Sequence, residues 1–340
     1  MVDRYTLSDD EIRAIKTLLA ELAARYATPD DNELLRNVGV YAHELPRPLR
    51  LFLNDFKYLE PEAGACIVSG YPIEDAKIGH TPPHWNCRRG VSPLLEEELL
   101  LLLLGSLLGD AIGWATQQDG YILHDVLPIK EYENSQLGTG SLQKLWWHNE
   151  DAFHPHRGDY LGLMCLRNPD GVSTTIGSIG QVELEREHVS RLFEPQFSIR
   201  PDESHSEKNN SNAGGGNVLI SSAYDRINGM NKQPESQSIL FGDPRSPYVR
   251  IDPYYMEPPK DDAALSALNE LIRAIDEKVT DIVLQPGDYL FIDNYRAVHG
   301  RKPFKARYDG ADRWLKRMNI TRDLRKSRGS RLSCDSRIIY

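Results

Sequence analysis

The first hundred residues carry apolar positions at helical spacing. Ser8 is followed three residues later by Glu11, a capping box that predicts a helix running to about Tyr26. Its apolar residues recur every three or four positions and form one buried face: Ile12, Ile15, Leu18, Leu19 and Leu22. The same periodicity predicts further helices over 48–58, 93–108 and 261–278.

The pattern changes at residue 111 to short β-rich runs between turn residues. A first buried strand is predicted earlier, over 65–70, and a loop over 74–92. Helices first and then mostly strands indicate the α+β class, mainly β, with an antiparallel sandwich or barrel. The later strands are predicted over 113–117, 121–126, 160–167, 172–179, 218–222, 248–251, 281–284, 289–293 and 315–321.

Two polar segments stand apart from this pattern. Residues 202–217 are rich in Ser, Asn and Gly, with no apolar face to bury, so we expect a mobile loop that is either a substrate lid or an idle insertion. Residues 322–340 carry repeated Arg and Lys and are predicted to be a solvated tail. We therefore expect one domain over 1–340, mostly helical over 1–110, with a β core over 111–321.

Composition narrows the class of protein. The 340 residues include 26% charged residues and have a formal net charge of -10, which argues against nucleic acid or an anionic membrane as the main partner. The four cysteines form no CxxC pair, which makes a zinc cluster improbable and fits a reducing cytoplasm. The apolar run Leu99–Leu104 is too short to span a membrane, and no signal peptide is recognised. We expect a cytoplasmic protein with a small-molecule partner and leave its oligomeric state open.

The segment Trp146–Pro155 carries the strongest chemical signal. His148 and Glu150 are two residues apart, and two apart on a strand means the same face. His299, after a turn–strand–turn pattern, is the best third ligand. Two histidines and one carboxylate on one side of a metal ion leave open positions opposite, as in non-haem Fe(II) oxygenases. The neighbouring His154 is more often a buried or surface histidine than a ligand in such a position.

Two arginines follow His299 and extend this interpretation. Arg313 and Arg317 offer guanidinium groups, which bind carboxylates through two parallel, charge-assisted hydrogen bonds. A 2-oxo diacid that chelates Fe(II) through its keto oxygen and first carboxylate needs such a partner for its far carboxylate. A purely structural metal site needs no such arginine.

With these residues the sequence resembles the clavaminate-synthase-like Fe(II)/2-oxoglutarate oxygenases, within them the hydroxylases of free lysine, arginine, asparagine or citrulline. The resemblance covers roughly residues 60–325, and several motifs in the right order make it specific. It implies a double-stranded β-helix (jelly-roll) core with flanking N-terminal helices. The motifs are 117–120, 148–155, 161–168, 247–252, 292–301 and 308–313.

The resemblance also implies roles for individual residues. His148, Glu150 and His299 would bind Fe(II), and Arg313 would bind the distal carboxylate of 2-oxoglutarate. The other candidate residues would bind the substrate. Arg317 would hold the substrate α-carboxylate, Gln118 or Gln117 would lie near its α-amino group together with the free oxygen of Glu150, and Asp252 would read its side chain.

The segment Asp252-Pro253-Tyr254 should indicate the substrate but does so ambiguously. Relatives acting on arginine often have a second Asp where Tyr254 stands, and a compact ammonium can be satisfied by one Asp and a hydroxyl. We therefore favour lysine over arginine as substrate. Arg250 could neutralise Asp252, which leaves neutral side chains such as citrulline or asparagine open.

The resemblance implies an O2-dependent reaction that converts 2-oxoglutarate to succinate and CO2 and hydroxylates C3 or C4 of the amino acid, in specialised metabolism such as peptide-antibiotic biosynthesis. Desaturation is an alternative outcome at the same site. Glu150 argues against halogenation, which in related enzymes needs that carboxylate removed. From another class, a metal-binding jelly roll without catalysis remains an alternative.

Overall fold

Two β-sheets form the centre of the molecule in a computed structural model that describes residues 1–87, 92–213 and 215–340. The strands are β1 (Asp3–Thr6), β2 (Ala65–Ser69), β3 (Asp110–Trp114), β4 (Leu123–Val126), β5 (Leu145–His148), β6 (Tyr160–Arg167), β7 (Thr174–Ser178), β8 (Phe197–Ile199), β9 (Ser236–Gln237), β10 (Leu240–Asp243), β11 (Ser246–Val249), β12 (Met256–Glu257), β13 (Thr280–Ile282), β14 (Tyr289–Asp293), β15 (Ala297–Arg301), β16 (Trp314–Thr321) and β17 (Ile338–Ile339). The helices are α1 (Asp9–Arg25), α2 (Asn32–Tyr41), α3 (Arg47–Leu59), α4 (Asp75–Ile78), α5 (Leu95–Ser106), α6 (Arg186–Leu192), α7 (Val218–Lys232) and α8 (Asp262–Lys278).

The larger sheet has the strand order β1-β2-β14-β6-β16-β3-β17, with β4 also paired to β16. The smaller sheet has the order β13-β7-β15-β5. Two short sheets, β10-β11 and β12-β8-β9, lie apart from these. The mixture of helices and strands predicted from the sequence is confirmed.

The two main sheets share one apolar core. On β14, Leu290 and Ile292 join a cluster to which both sheets contribute, Leu163 from β6 and Ile176 from β7 among them. The intervening Tyr289 and Phe291 join the cluster formed with the helices. Because side chains alternate along a strand, a strand buried on both faces reads as a continuous apolar run, as 289–293 does.

The N-terminal helices cover the outer face of the larger sheet. α1 begins with the predicted capping box, in which Ser8 and Glu11 are both bonded as expected. α5 is buried over Leu99–Leu104, which explains its lack of a polar face. No helix within the described ranges is long and apolar enough to cross a membrane.

Several predicted elements differ from the structure. The predicted strand over 218–222 is the start of α7, whose first turn is capped by Asn217. The expected solvated tail is instead part of the fold, because β17 pairs with β3 and Arg337 is buried. The predicted loop over 74–92 contains α4, and its residues 88–91 lie outside the described residues, as does Gly214 of the polar segment.

Candidate active site

Antiparallel pairing brings the two histidines together. β5 pairs with β15 so that His148 is the register partner of His299, and their ring centroids are 4.6 Å apart. Glu150 follows β5 in a turn. Its Oε2 lies 3.7 Å from Nε2 of His148 and 3.4 Å from Nε2 of His299. The predicted ligand set therefore converges on one point.

Hydrogen bonds fix the orientation of this group. His148 Nδ1 lies 2.8 Å from the carbonyl oxygen of Trp146, so Nδ1–H donates and Nε2 is left to bind a metal. The backbone of Glu150 is held by Asn294, whose Oδ1 accepts from Glu150 N at 2.8 Å and whose Nδ2 donates to Glu150 O at 3.0 Å. These supports set the ligands in place before any ion binds.

The charges within the group are mutually compensated. Burial alone would raise the pKa of Glu150, but Arg317 and the two histidines outweigh it and hold that pKa well below its usual range. Burial lowers the pKa of His148, yet Glu150 and Asp252 outweigh this and raise it to about 9. For His299, burial prevails and its pKa is lowered. The carboxylate is thus ionised, as a metal ligand must be.

The donor set fits a divalent transition metal. Two imidazole nitrogens and one carboxylate oxygen suit iron(II), and they leave further coordination positions open. Donors that bind one ion at about 2.1 Å lie roughly 3 to 4 Å apart, which agrees with the separations from Glu150. His148, Glu150 and His299 are the residues that would hold the ion.

Arg317 lies at the inner wall of the cleft. Its Nη1 pairs with Oε1 of Glu150, and its Nη2 donates to Oε1 of Gln117 at 3.1 Å and to Nδ1 of His124 at 2.8 Å. β16 and β4 set this arrangement, since Arg317 and His124 are register partners. The expected residues Arg317, Gln117 and Glu150 therefore share one network.

Gln118 is placed differently. Its amide donates to the carbonyl of Asp125 at 2.8 Å and its carbonyl accepts from Asp125 N at 2.9 Å. Its φ of 41° puts it in the left-handed region of a tight turn. Both side-chain groups of Gln118 are thus used to hold that turn, whereas Gln117 turns toward Arg317.

Two buried guanidinium groups lie on the other side of the histidines. Arg313, before β16, donates to Thr174 Oγ1 at 3.4 Å, and burial lowers its pKa to about 10. Burial together with Arg313 lowers the pKa of Arg301 to about 9. In the described part of the chain no carboxylate pairs with Arg313 or Arg301. Two uncompensated cations in a cleft make a site for an anion.

Two carboxylates that form no ion pair with a Lys or Arg of the described residues line the same cleft. Asp252 is buried, and its Oδ1 accepts from the backbone N–H groups of Tyr254 and Tyr255. Burial raises the pKa of Asp252 to about 6, His148 lowers it, and Asp202 raises it further. Asp202 lies at the start of the polar segment and faces the same space. Arg250 does not neutralise Asp252, because it donates instead to backbone carbonyls of residues 152 and 153.

Sequence reasoning missed Asp202 because it treated the polar segment as unable to bury itself. His205 within it is fully buried, with Nε2 3.0 Å from Asp151 and Nδ1 2.8 Å from Thr116 Oγ1. Asp151 also accepts from Trp114 Nε1 at 2.7 Å. The sequence did contain a signal for this contact. If the side chain of Glu150 faces the metal, that of its neighbour Asp151 points away from it, and a buried carboxylate there needs hydrogen-bond donors from another segment.

The tryptophans behave as their alternation predicts. Trp147 is buried and donates to Asp276 at 2.7 Å. Trp146 is 37% exposed and lines the cleft. His154 packs against Trp114, 4.4 Å between ring centroids, and is no part of the ligand group.

The chain is similar to several known proteins. The family model "Taurine catabolism dioxygenase TauD, TfdA family" matches residues 103–319. An L-ornithine/L-arginine 3-hydroxylase of Catenulispora acidiphila is 46% identical over 344 residues, 99% of each chain. An enduracididine beta-hydroxylase of Streptomyces hygroscopicus is 44% identical over 337 residues, 98% of each chain. The crystal structure of the non-heme iron oxygenase OrfP with Fe, succinate and (3S)-hydroxy-L-Arg superposes with a TM-score of 0.94 at 43% identity, covering 100% of both chains. An L-lysine 3-hydroxylase of Catenulispora acidiphila is 28% identical over 340 residues, 96% of this chain and 89% of its own.

Proposed function

Because the chain belongs to the TauD/TfdA family of dioxygenases, we propose that it hydroxylates C3 of free L-arginine or of a closely related guanidino amino acid. The coarser activity is established by family and relatives: the protein is an Fe(II)/2-oxoglutarate-dependent dioxygenase that uses O2 to hydroxylate an amino acid. The alternative of a metal-binding protein without catalysis is therefore set aside.

The observation that carries the proposal is the charge distribution in the cleft. Glu150 is compensated by Arg317, whereas no Lys or Arg of the described residues pairs with Asp252 or Asp202, and the imidazoles of His148 and His205 are the basic groups near them. Two buried or half-buried carboxylates facing one space are unfavourable until a cation binds between them. The cleft therefore favours a positively charged side chain over the neutral side chains of citrulline and asparagine.

Arginine replaces lysine as the preferred substrate. A guanidinium is planar and offers N–H groups in several directions, which two carboxylates can accept, whereas an ammonium is a compact point charge. The second carboxylate that Tyr254 fails to supply is available from Asp202. Relatives named for arginine, ornithine or enduracididine share 44–46% identity, against 28% for the lysine 3-hydroxylase.

The opposite end of the substrate would meet Arg317. An α-carboxylate there would share the guanidinium with Glu150, and the oxygen of Gln117 that is bonded to Arg317 would accept from the α-ammonium. Fixing both ends of the substrate holds its C3 at a constant distance from the ligand group. Such positioning selects the carbon that reacts, since a small misplacement costs much rate.

The cosubstrate would occupy the anion site. Arg313 and Thr174 would bind the distal carboxylate of 2-oxoglutarate, and Arg301 would add positive potential behind them. When iron is bound, it supplies the oxidative decarboxylation of 2-oxoglutarate by O2 and the oxidation of a substrate C–H bond. We also propose that the two main sheets form a double-stranded β-helix, which the shared core between them supports.

A substrate panel tests this function. The purified protein with Fe(II) and 2-oxoglutarate is incubated with L-arginine, L-ornithine, L-lysine, L-citrulline and L-asparagine, while succinate and hydroxylated products are measured by mass spectrometry. We expect the highest turnover with L-arginine or another guanidino amino acid, and a product oxidised at C3. His148→Ala should abolish turnover, while His156→Ala, outside the ligand group, should not. Absence of amino-acid-stimulated succinate release would refute the proposal.

A further inference from the structure

A second cavity lies behind the turn that joins β14 to β15. Its volume is about 430 Å³. Three aromatic side chains, Phe241, Tyr248 and Tyr295, line it together with Tyr160, Asp293 and Glu60. None of these residues lines the active-site cleft.

Two buried polar groups in this cavity have unused bonding capacity. Asp293 is 6% exposed, and its side chain accepts from Tyr295 N at 2.9 Å, but no cation pairs with it within the described ranges. Burial raises the pKa of Asp293 to about 7. Tyr160 is 2% exposed, and no hydrogen-bond partner of its hydroxyl lies in the part of the chain that the structure describes. The Tyr160 side chain lines the cavity together with Asp293 and Glu60.

The aromatic wall suits a cation. The ring centroids of Phe241, Tyr248 and Tyr295 are 5.3–5.7 Å apart. The guanidinium carbon of Arg157, which does not line the cavity, lies 4.4 Å from the Tyr295 centroid and 5.5 Å from that of Phe241. The ammonium of Lys326, which does line the cavity, lies 5.9 Å from the Tyr295 centroid. The cluster therefore already contacts two cations of the protein, as aromatic faces attract cations generally.

Among the charged residues of the cavity, one acid and one base form no ion pair within the described residues. Glu60 accepts from Tyr248 and pairs with Arg296 at 3.2 Å, and Asp159 pairs with Lys326 at 3.1 Å. Asp293 is then the cavity carboxylate that forms no ion pair within the described residues, although the nearby charge of Arg296 partly offsets the effect of burial on its pKa. Arg322 is exposed at the rim with its guanidinium over Tyr58, and no carboxylate pairs with it among the described residues.

We propose that this cavity binds a second molecule of a cationic amino acid, with its side-chain cation between Asp293 and the aromatic rings and its carboxylate toward Arg322. The Tyr160 hydroxyl supplies one further hydrogen bond. The site shares a turn with the metal group, since Asn294, next to Asp293, holds the backbone of Glu150. The ligand class follows from the charges of this cavity and does not depend on the proposed substrate.

Binding stoichiometry tests the proposal. L-Arginine is titrated calorimetrically into the Fe(II)- and 2-oxoglutarate-loaded enzyme without O2. We expect two binding events. Asp293→Asn, which keeps the oxygen that accepts from Tyr295 N, should remove one event, and Asp252→Asn should remove or weaken the other.

A milder variant protects the test against misfolding. Tyr160→Phe removes only the hydroxyl and should weaken the cavity event roughly 3- to 10-fold. Tyr224→Phe, a buried tyrosine bonded to Asn212 far from this turn, is the matched control and should change neither event. The proposal is overturned if no binding event responds to Asp293→Asn or Tyr160→Phe. A single event that responds to Asp293 and not to Asp252 would support the cavity and count against arginine as substrate.

Discussion

Replacing Asp202 with Asn tests the choice of guanidinium over ammonium most directly. The change removes one negative charge from the cleft and leaves the shape of the side chain intact. Asp202 Oδ1 accepts from Ser204 N at 2.8 Å, and an Asn oxygen accepts from the same N–H. The polar segment should therefore keep its conformation.

The size of the effect follows from the bond that is lost. A hydrogen bond to a charged group contributes about 1.5–3 kcal/mol. Asp202 is partly exposed, so we take the lower end, about 1.5 kcal/mol, which corresponds to roughly a tenfold decrease in kcat/KM for L-arginine. For L-lysine, whose ammonium can rest on Asp252 alone, we expect a decrease of about threefold or less.

The assay is a competition between L-arginine and L-lysine in which the two hydroxylated products are quantified by mass spectrometry, and the product ratio gives the ratio of the two kcat/KM values without dependence on enzyme concentration. Asp243→Asn is the matched control, because Asp243 is an exposed carboxylate paired with Arg245 outside the cleft. The reasoning fails if Asp202→Asn leaves the ratio for arginine over lysine unchanged or increases it.

Three further changes probe the cosubstrate site, the charge of the cleft and the core. Arg313→Lys replaces the planar guanidinium with a compact ammonium and should raise KM for 2-oxoglutarate roughly 10-fold or more, whereas Arg307→Lys, at an exposed arginine, should not change this KM. The pKa of Asp252 near 6 means that this carboxylate is protonated as pH falls through 6, so kcat/KM for L-arginine should decrease below that pH, and a profile equally steep in Asp252→Asn would contradict this role. Leu101→Ala in α5 should lower the free energy of unfolding by about 2–5 kcal/mol in urea denaturation, and Leu51→Ala, which is half exposed, by much less.

The His148-x-Glu150 spacing and the capping box of α1 are signals within a few neighbouring residues, which a sequence shows directly. The strand alternation that suggested the first signal does not itself place Glu150, because β5 ends at His148 and Glu150 lies in the turn that follows. The pairing of His148 with His299 is different, because it depends on the register of β5 against β15, which no local pattern determines. The pairing of His148 with His299 was inferred from the order of the family motifs along the chain and not from the spacing of the residues.

The errors share a physical cause as well. The run at 218–222 is apolar enough for a strand, but Asn217 caps it and Ala223, Tyr224 and Ile227 continue it at helical spacing. The C-terminal segment is charged, yet Arg331 is buried because its guanidinium donates to backbone carbonyls of residues 333, 334 and 336. A charged or polar side chain is exposed only where the fold offers it no hydrogen-bond partner. Composition does not show such partners when they are distant in the sequence.

The same reasoning applies to the predicted preference for lysine. Tyr254 was taken as the loss of a second carboxylate, but Asp202, on another segment, also lines the cleft. That segment is held by Asp151, which follows the ligand Glu150 directly and has a φ of 51° that turns its side chain away from the metal group. One peptide bond therefore links the metal ligand to the anchor of the substrate-facing loop. In the proposed function, the pair Glu150-Asp151 would position the iron site on one side and the loop carrying Asp202 on the other, so that one turn would place both the reacting carbon and the side-chain charge.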